Sequence, residues 1–429
     1  MECIYRLFEQ HPIICTDSRN ITADSIFFAL KGDHFDGNRY ALQALDAGVA
    51  YAVVDDTTLP PHPQLIQVVD TLKALQDLAS THRRKLGIPV IAITGTNGKT
   101  TTKELTAQVL SAKFKVGVTS GNLNNHIGVP LTLLRMTAGT QIGVVEMGAN
   151  HPCEIAALCR IALPDYGLIT NVGKAHLQGF GSLEGVCKAK GELYDYLAAT
   201  SGAIFYNTGN PLLCRMVNER NPPKIHPYGI AENHAAVVCP SGDAHPFLHL
   251  TVEGYPDIRT HLIGNYNTDN VLAALAVGAA FGVSPDAAAA AINHYEPSNN
   301  RSQLLHTARH TIIMDAYNAN PASMTAAIEN FAQLPATGKY AILGDMLELG
   351  AESATEHAAI IALLKEKPFT DVLLVGTQFT QAAVGVLFKS FADIAALRAY
   401  LRQHPIASQA TILLKASRGM HLEDIVPEL

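Results

Sequence analysis

The sequence predicts an α/β protein of three domains: a small α/β N-terminal module, a central, mostly parallel sheet of the phosphate-loop type and a Rossmann-like C-terminal domain. Short apolar runs alternate with helical stretches along the chain, which is the rhythm of parallel sheets covered on both faces. A glycine-bracketed turn ending in Gly98, Lys99 and Thr100 falls where one such run meets a helix. The 429 residues, 48% of them hydrophobic, suffice for about three cores at roughly 150 residues each.

Within residues 1–86, the runs 25–30, 50–54 and 65–69 read as strands and 40–47 as a helix. Within residues 87–300, strands are expected at 88–93, 142–146, 168–171 and 203–206, followed by helices at 270–281 and 285–293. The turn-prone Glu296-Pro297-Ser298-Asn299-Asn300 closes this second domain. Within residues 301–429, strands at 311–314, 339–343, 372–375 and 411–415 alternate with helices at 323–334, 354–365 and 392–401.

The turn at Gly95, Thr96, Asn97, Gly98, Lys99, Thr100 and Thr101 carries the strongest chemical signal. Backbone N–H groups and the positive end of a helix dipole meet an anion at such a turn, and a lysine beside them supplies charge. The helix after it should bury Leu105, Val109 and Ala112 on one face. The longer phosphate-loop pattern has a glycine where this chain has Ile93, so the form here is the shortened Gly-x-x-Gly-Lys-Thr. A glycine turn with a solvated lysine is the plainer alternative, but strand, glycines, Lys and Thr arrive together.

Composition narrows the partners. A net charge of −7 leaves no broad cationic surface for nucleic acid. Seven cysteines (Cys3, Cys15, Cys153, Cys159, Cys187, Cys214 and Cys239) form no C-x-x-C pair and read as scattered reduced thiols, which suits a reducing cytoplasm. No basic segment followed by an apolar one opens the chain, and the longest apolar stretch, residues 271–283, is too short to span a bilayer. Neither export nor membrane insertion is expected, and a monomer is the expected state.

Three residues outside the turn stand out. Glu146 closes the strand 142–146, which puts a carboxylate on the sheet edge where ligands bind and suggests magnesium. His176 follows the next strand and reaches the same edge, although one of 18 histidines has little weight alone. Lys190 shares a helical stripe with Leu183, Val186, Leu193 and Leu197. Its stem can pack while the ammonium snorkels, or Ala189 can face the core instead. The other reading is that burial lowers its pKa and the neutral amine captures carbon dioxide as a carbamate.

Taken together, these residues resemble the Mur ligases of peptidoglycan synthesis over nearly the whole chain. Thr16-Asp17-Ser18-Arg19 and Phe35-Asp36-Gly37 are similar to that family's uridine-nucleotide-binding segments. Gly121-Asn122-Leu123-Asn124-Asn125-His126 and Asp315-Ala316-Tyr317-Asn318-Ala319-Asn320-Pro321 resemble the branch that takes a D-Ala-D-Ala dipeptide. Glu146, His176 and Lys190 match metal and carbamate-lysine positions, Asn267 and Asn270 match asparagines that reach the nucleotide, and Arg301 matches a phosphate-contacting arginine. Lys415-Ala416-Ser417-Arg418 is similar to a C-terminal Lys-Gly-Ser-Arg. Three positions depart from the pattern: Asn300 and Ala416 stand where glycine is usual, and Ala316 where serine is.

The resemblance implies an ATP-dependent ligase. A carboxylate of UDP-MurNAc-tripeptide is phosphorylated by ATP, and the amine of D-Ala-D-Ala attacks the acyl phosphate. Mg2+, two ions of it, would be held by Thr100, Glu146, His176 and a carbamylated Lys190. Ser18, Arg19, Phe35, Asp36 and Gly37 would hold the uridine end, and Asn122, Asn124, Asn125, Tyr317, Asn318 and Asn320 the peptide parts. ATP would meet the loop with Asn267, Asn270, Arg301 and Asp315. Sibling ligases that add the third amino acid or glutamates to folate would lack the Asn122 and Tyr317 segments. A motor or transporter ATPase would keep the longer loop, and a non-catalytic regulator would have lost one of Lys99, Glu146, His176 and Lys190.

Overall fold

The computed structural model describes residues 1–238, 246–297, 300–336 and 338–429. Cys239 and, in the expected boundary turn, Ser298 and Asn299 lie outside the described residues. The first unit is a four-stranded parallel sheet in the order Ile14–Cys15, Ile26–Phe28, Tyr51–Val54, Leu65–Gln67. A helix at Thr71–Leu86, absent from the sequence reading, leads out of it. Its charged last turn, Arg83-Arg84-Lys85, masks the apolar stripe of Ala74, Leu75, Leu78 and Ala79. Asp70 caps it by accepting from the Lys73 amide at 2.8 Å, and Gly87, at φ 62°, ends it. That stripe joins Ile26 and Phe28 of the first sheet to Val90, Ala92 and Val145 of the second in one core.

The central sheet has six strands, all parallel, in the order Lys224–Tyr228, Ala203–Asn207, Tyr166–Ile169, Val90–Thr94, Ile142–Glu146, Val116–Val118. Val90–Thr94 and Ile142–Glu146 are buried along their full length, as expected of strands covered on both faces. The strand expected at 168–171 is Tyr166–Ile169 instead, because Thr170 and Asn171 leave the ladder to grip the phosphate turn. The helix after that turn is Lys99–Ser111, with Leu105 and Val109 buried. Ala112 is its exposed C-cap rather than a core residue, since the chain turns there toward Val116–Val118. In the helix Leu183–Ala199 the stripe of Val186, Lys190, Leu193 and Leu197 is buried together with Ala189, whereas Leu183, in the exposed first turn, is not. A three-stranded sheet of Ala236–Val237, Phe247–Thr251 and Ile258–Ile263, antiparallel and unanticipated, packs behind the sheet.

The C-terminal sheet runs Gln303–His306, Thr311–Asp315, Thr411–Lys415, Lys339–Gly344, Asp371–Val375, Lys389–Phe391. Only the first of these strands is antiparallel to its neighbour. Two apolar layers cover its two faces. Its carboxyl edge and that of the central sheet line one shared cleft of about 730 Å³.

Candidate active site

The phosphate turn is held from below by the neighbouring strand end. Thr170 Oγ1 donates to the Asn97 carbonyl at 2.6 Å, and the Asn97 amide donates to Asn171 Oδ1 at 3.0 Å. Gly95 has φ 144°, and a Cβ there would lie 2.0 Å from Thr170 Oγ1. Gly98, at φ 77°, lies where a Cβ would meet Asn270 Oδ1 at 2.5 Å. Both glycines are therefore required by close approach as well as by backbone angle. The first N–H groups of Lys99–Ser111 have no intrahelical partner and face the cleft.

Lys99 folds over its own turn, donating to the carbonyls of Gly95 at 2.8 Å and Thr96 at 3.0 Å. Its half-buried ammonium is partly desolvated, which pushes its pKa down, with Glu146 opposing the shift and the Arg301 charge adding to it. Glu146 is 1% exposed. It accepts from Thr100 Oγ1 at 2.9 Å and from Asn124 Nδ2 at 2.8 Å, with Lys103 Nζ 3.7 Å away. Thr102 Oγ1 donates to Asn270 Oδ1 at 2.9 Å, and Asn270 donates on to Asn267 Oδ1 at 2.8 Å.

From the C-terminal domain, Asp315 reaches the cleft paired with Lys415 Nζ at 2.6 Å. The Arg301 guanidinium stacks 3.6 Å from the Tyr317 ring centre, and its buried Nε has no hydrogen-bond partner among the described residues. Asn300 and Ser302 flank Arg301 at φ 56° and 48°. Asparagine tolerates the left-handed region, which accounts for Asn300 where glycine is usual. Ala416 is fully buried, and the glycine opposite it is Gly344, where a Cβ would lie 2.7 Å from the Ala416 methyl. Asn320 caps the helix Pro321–Gln333 by accepting from the Ser323 amide at 2.9 Å and donates across the cleft to Asn97 Oδ1 at 2.7 Å.

The expected residues do not all meet. Asn122, Asn124, Asn125, His176, Asn267, Asn270, Arg301, Asp315, Tyr317 and Asn318 line the same cleft as residues 96–101. The Asn125 side chain is already engaged there, accepting from the Gly128 amide at 2.8 Å. The His176 imidazole meets Glu348 of the C-terminal domain. Lys190 lies behind Ala149, 2% exposed, with Nζ 3.4 Å from the Ala149 carbonyl and 5.4 Å from the Phe180 ring centre. Burial, then the Lys99 charge, lowers its pKa to about 7 against the pull of Glu154 and Glu192. Ser18, Arg19, Phe35, Asp36 and Gly37 are outside the cleft. Arg19 chelates Asp17 with two bonds of 2.9 Å, and those bonds hold the Asp17 carboxyl at about 2. Asp36 caps the turn Gly37–Tyr40 while Phe35 stays exposed.

Sequence reasoning missed Lys103 and Asn171, and it gave Glu348, within the segment 344–350 that resembles a family signature, no partner. Lys103 follows Lys99 at i+4, a spacing that puts both on one helix face and was available as a signal. Nothing local in the sequence marks the pairing of Glu348 with His176.

The donors around Glu146 suit a hard divalent cation, since one carboxylate and one hydroxyl in the cleft leave room for phosphate oxygens to complete the shell. No cluster of three or more His, Cys, Asp or Glu converges anywhere among the described residues, this site included. The other two expected ligands, His176 and Lys190, offer an anionic oxygen only if Lys190 is modified.

Residues 12–83 match the Mur ligase family, catalytic domain; residues 93–278 match the Mur ligase middle domain; and residues 300–418 match the Mur ligase, glutamate ligase domain. A Bacillus subtilis (strain 168) protein named UDP-N-acetylmuramoyl-tripeptide--D-alanyl-D-alanine ligase is 37% identical, with 98% of this chain and 94% of that one covered. The protein of the same name from Escherichia coli (strain K12) is 36% identical, covering 97% and 93%. A crystal structure of MurF from Acinetobacter baumannii superposes with a TM-score of 0.86 at 31% identity, covering 97% of this chain and 92% of that one. Three matched domains in order, and full-length relatives above 30% identity, place the chain in the Mur ligase family.

Proposed function

We propose that this protein is the ATP-dependent ligase that joins D-Ala-D-Ala to UDP-MurNAc-tripeptide, as the names of its full-length relatives state for them. The observation that carries the reading is the single cleft in which Lys99, Thr100 and Glu146 of one sheet edge face Arg301, Asp315 and Lys415 of another. A carboxylate and an ammonium do not condense in water, so the carboxylate is first phosphorylated by ATP, and the amine then displaces phosphate. Both partners of that transfer are anions, and Lys99, Arg301 and the turn amides lower the repulsion between them. Magnesium held by Thr100 and Glu146 would supply further charge neutralisation.

His176 and a carbamate on Lys190 are proposed for a second ion. A buried amine with a pKa of about 7 is about half neutral at pH 7, and the neutral fraction can attack carbon dioxide. Residues 1–86, with Ser18, Arg19, Phe35, Asp36 and Gly37, are assigned to the uridine end; residues 87–300 to ATP; and residues 301–429, with Tyr317, Asn318 and Asn320, to the dipeptide. Among the described residues no helix is long and apolar enough to cross a membrane. Action as a cytoplasmic monomer fits a chain that supplies every group named here. ADP release measured with UDP-MurNAc-tripeptide, with and without D-Ala-D-Ala, tests the reading. Release that requires both supports it, and release indifferent to the dipeptide refutes it.

A further inference from the structure

We infer that Arg418 is the anchor for the free carboxylate of the incoming dipeptide, and so determines specificity for a substrate with a charged C-terminus. The inference rests on the ligase reading above, because it concerns how that same cleft tells its amine substrate from others.

The backbone that carries Arg418 is tied down on three sides. The Ser417 amide donates to the Asp345 carbonyl at 3.2 Å, and its hydroxyl accepts from the Leu347 amide at 2.9 Å and donates to the Ala319 carbonyl at 3.3 Å. Ser417 is itself buried, so the next residue leaves a fixed point. The Arg418 guanidinium is 4.9 Å from the ring centre of Tyr317, a cleft residue. It is exposed and makes no ion pair among the described residues.

Three acidic groups of this domain are already engaged. Asp315 is neutralised by Lys415 at 2.6 Å, and Glu348 is hydrogen-bonded to His176 at 2.5 Å. Asp345 accepts from the amides of Gln378 at 3.0 Å and Phe379 at 2.9 Å. Arg301, the other guanidinium on the Tyr317 ring, is near enough to Lys99 to depress its pKa and therefore belongs to the phosphate end. Among the described residues Arg418 is left without an ion-pair partner, beside Tyr317 of the segment assigned above to the dipeptide.

A dipeptide that reacts through its amine keeps a carboxylate, and desolvating that anion in the cleft demands a fixed cation. A planar guanidinium pairs with a carboxylate through two parallel N–H donors, and an aromatic face pre-orients it without consuming them.

The test is steady-state ADP release by the full-length protein with saturating ATP and UDP-MurNAc-tripeptide, comparing D-Ala-D-Ala with its C-terminal amide. Arg418→Ala should raise KM for D-Ala-D-Ala by about 10- to 100-fold. KM for ATP and for the UDP-substrate should stay near their original values. The unmodified protein should prefer the acid strongly over the amide, and Arg418→Ala should use the two about equally, with Arg418→Lys between. A thermal midpoint equal to that of the parent establishes that the variant is folded. If Arg418→Ala keeps its preference for the acid, or if the KM for ATP or the UDP-substrate rises instead, the assignment of Arg418 is wrong while the ligase reading stands. If the unmodified protein shows no release dependent on D-Ala-D-Ala, both fall together.

Discussion

His176 Nδ1 lies 2.5 Å from Glu348 Oε2, a contact between the central and C-terminal domains made by two residues that both hold left-handed backbone, at φ 50° and 68°. Such angles cost on the order of 1 kcal/mol or more in a non-glycine residue and persist where surrounding structure enforces them. The pair also settles which imidazole nitrogen is available, because Nδ1 is engaged and Nε2 remains to meet a ligand. The imidazole in turn holds the Glu348 carboxyl below its ordinary range. Lys174 and Glu356, 2.8 Å apart, form a second bridge beside it.

Glu348→Ala should remove both the clamp on His176 and one tie between the domains. Loss of about 10- to 100-fold in kcat is expected, the usual scale for a group that orients a ligand-binding histidine. Small-angle scattering of the variant should report a larger radius of gyration. Unchanged kcat with unchanged dimensions would show that the contact has no part in closure or in the chemistry.

Lys99→Ala should leave the fold intact and lower turnover by about a thousandfold or more, corresponding to several kcal/mol of lost charge stabilisation. Its ammonium binds only carbonyls of its own turn, at 2.8 and 3.0 Å, so little structure depends on it. Thermal midpoint and ADP release, measured on the same sample, separate the two effects.

Lys190→Arg keeps a cation but cannot form the carbamate, so the account expects it to be inactive. Carbon-13 NMR of the parent protein in labelled bicarbonate should show a carbamate signal that the variant lacks. An active variant, or no such signal in the parent, would return Lys190 to packing against Phe180.

Acid should destabilise the junction of the first two domains through His82. Its Nε2 is 2.7 Å from the Met136 carbonyl, which can only accept, and its Nδ1 is 3.2 Å from the Tyr5 hydroxyl, so the ring is placed as a neutral tautomer. Burial lowers its pKa. The unfolded chain therefore binds a proton near pH 6.5 while the native chain does not, and stability falls as pH drops below about 6.5. Urea midpoints at pH 7.5 and 5.5 should differ, and by less in His82→Gln.

Much of the fold was legible because parallel strands buried on both faces write themselves as unbroken apolar runs, as 142–146 does. The helix Pro285–Asn293 was equally clear from its run of alanines. What stayed hidden depended on partners remote in sequence. Thr170 and Asn171 look like strand residues until the turn they grip is 73 or 74 residues away. The helix Thr71–Leu86 buries a narrow stripe under many polar residues, and the Glu348–His176 pair exists only when two domains meet. The site was legible at Lys99, Thr100 and Glu146, where a local strand-to-helix pattern fixes the geometry. It was less so at Asn125, whose side chain accepts from the Ile127 and Gly128 amides of its own turn.

The central claim is that the tripeptide carboxylate is activated by phosphoryl transfer within this cleft. Its most direct measurement uses UDP-MurNAc-tripeptide labelled with oxygen-18 in the reacting carboxylate, with ATP, magnesium and D-Ala-D-Ala, followed by mass spectrometry of the phosphate released. Activation through an acyl phosphate transfers one labelled oxygen to each phosphate as the amide forms. Amide formed with unlabelled phosphate would contradict the account.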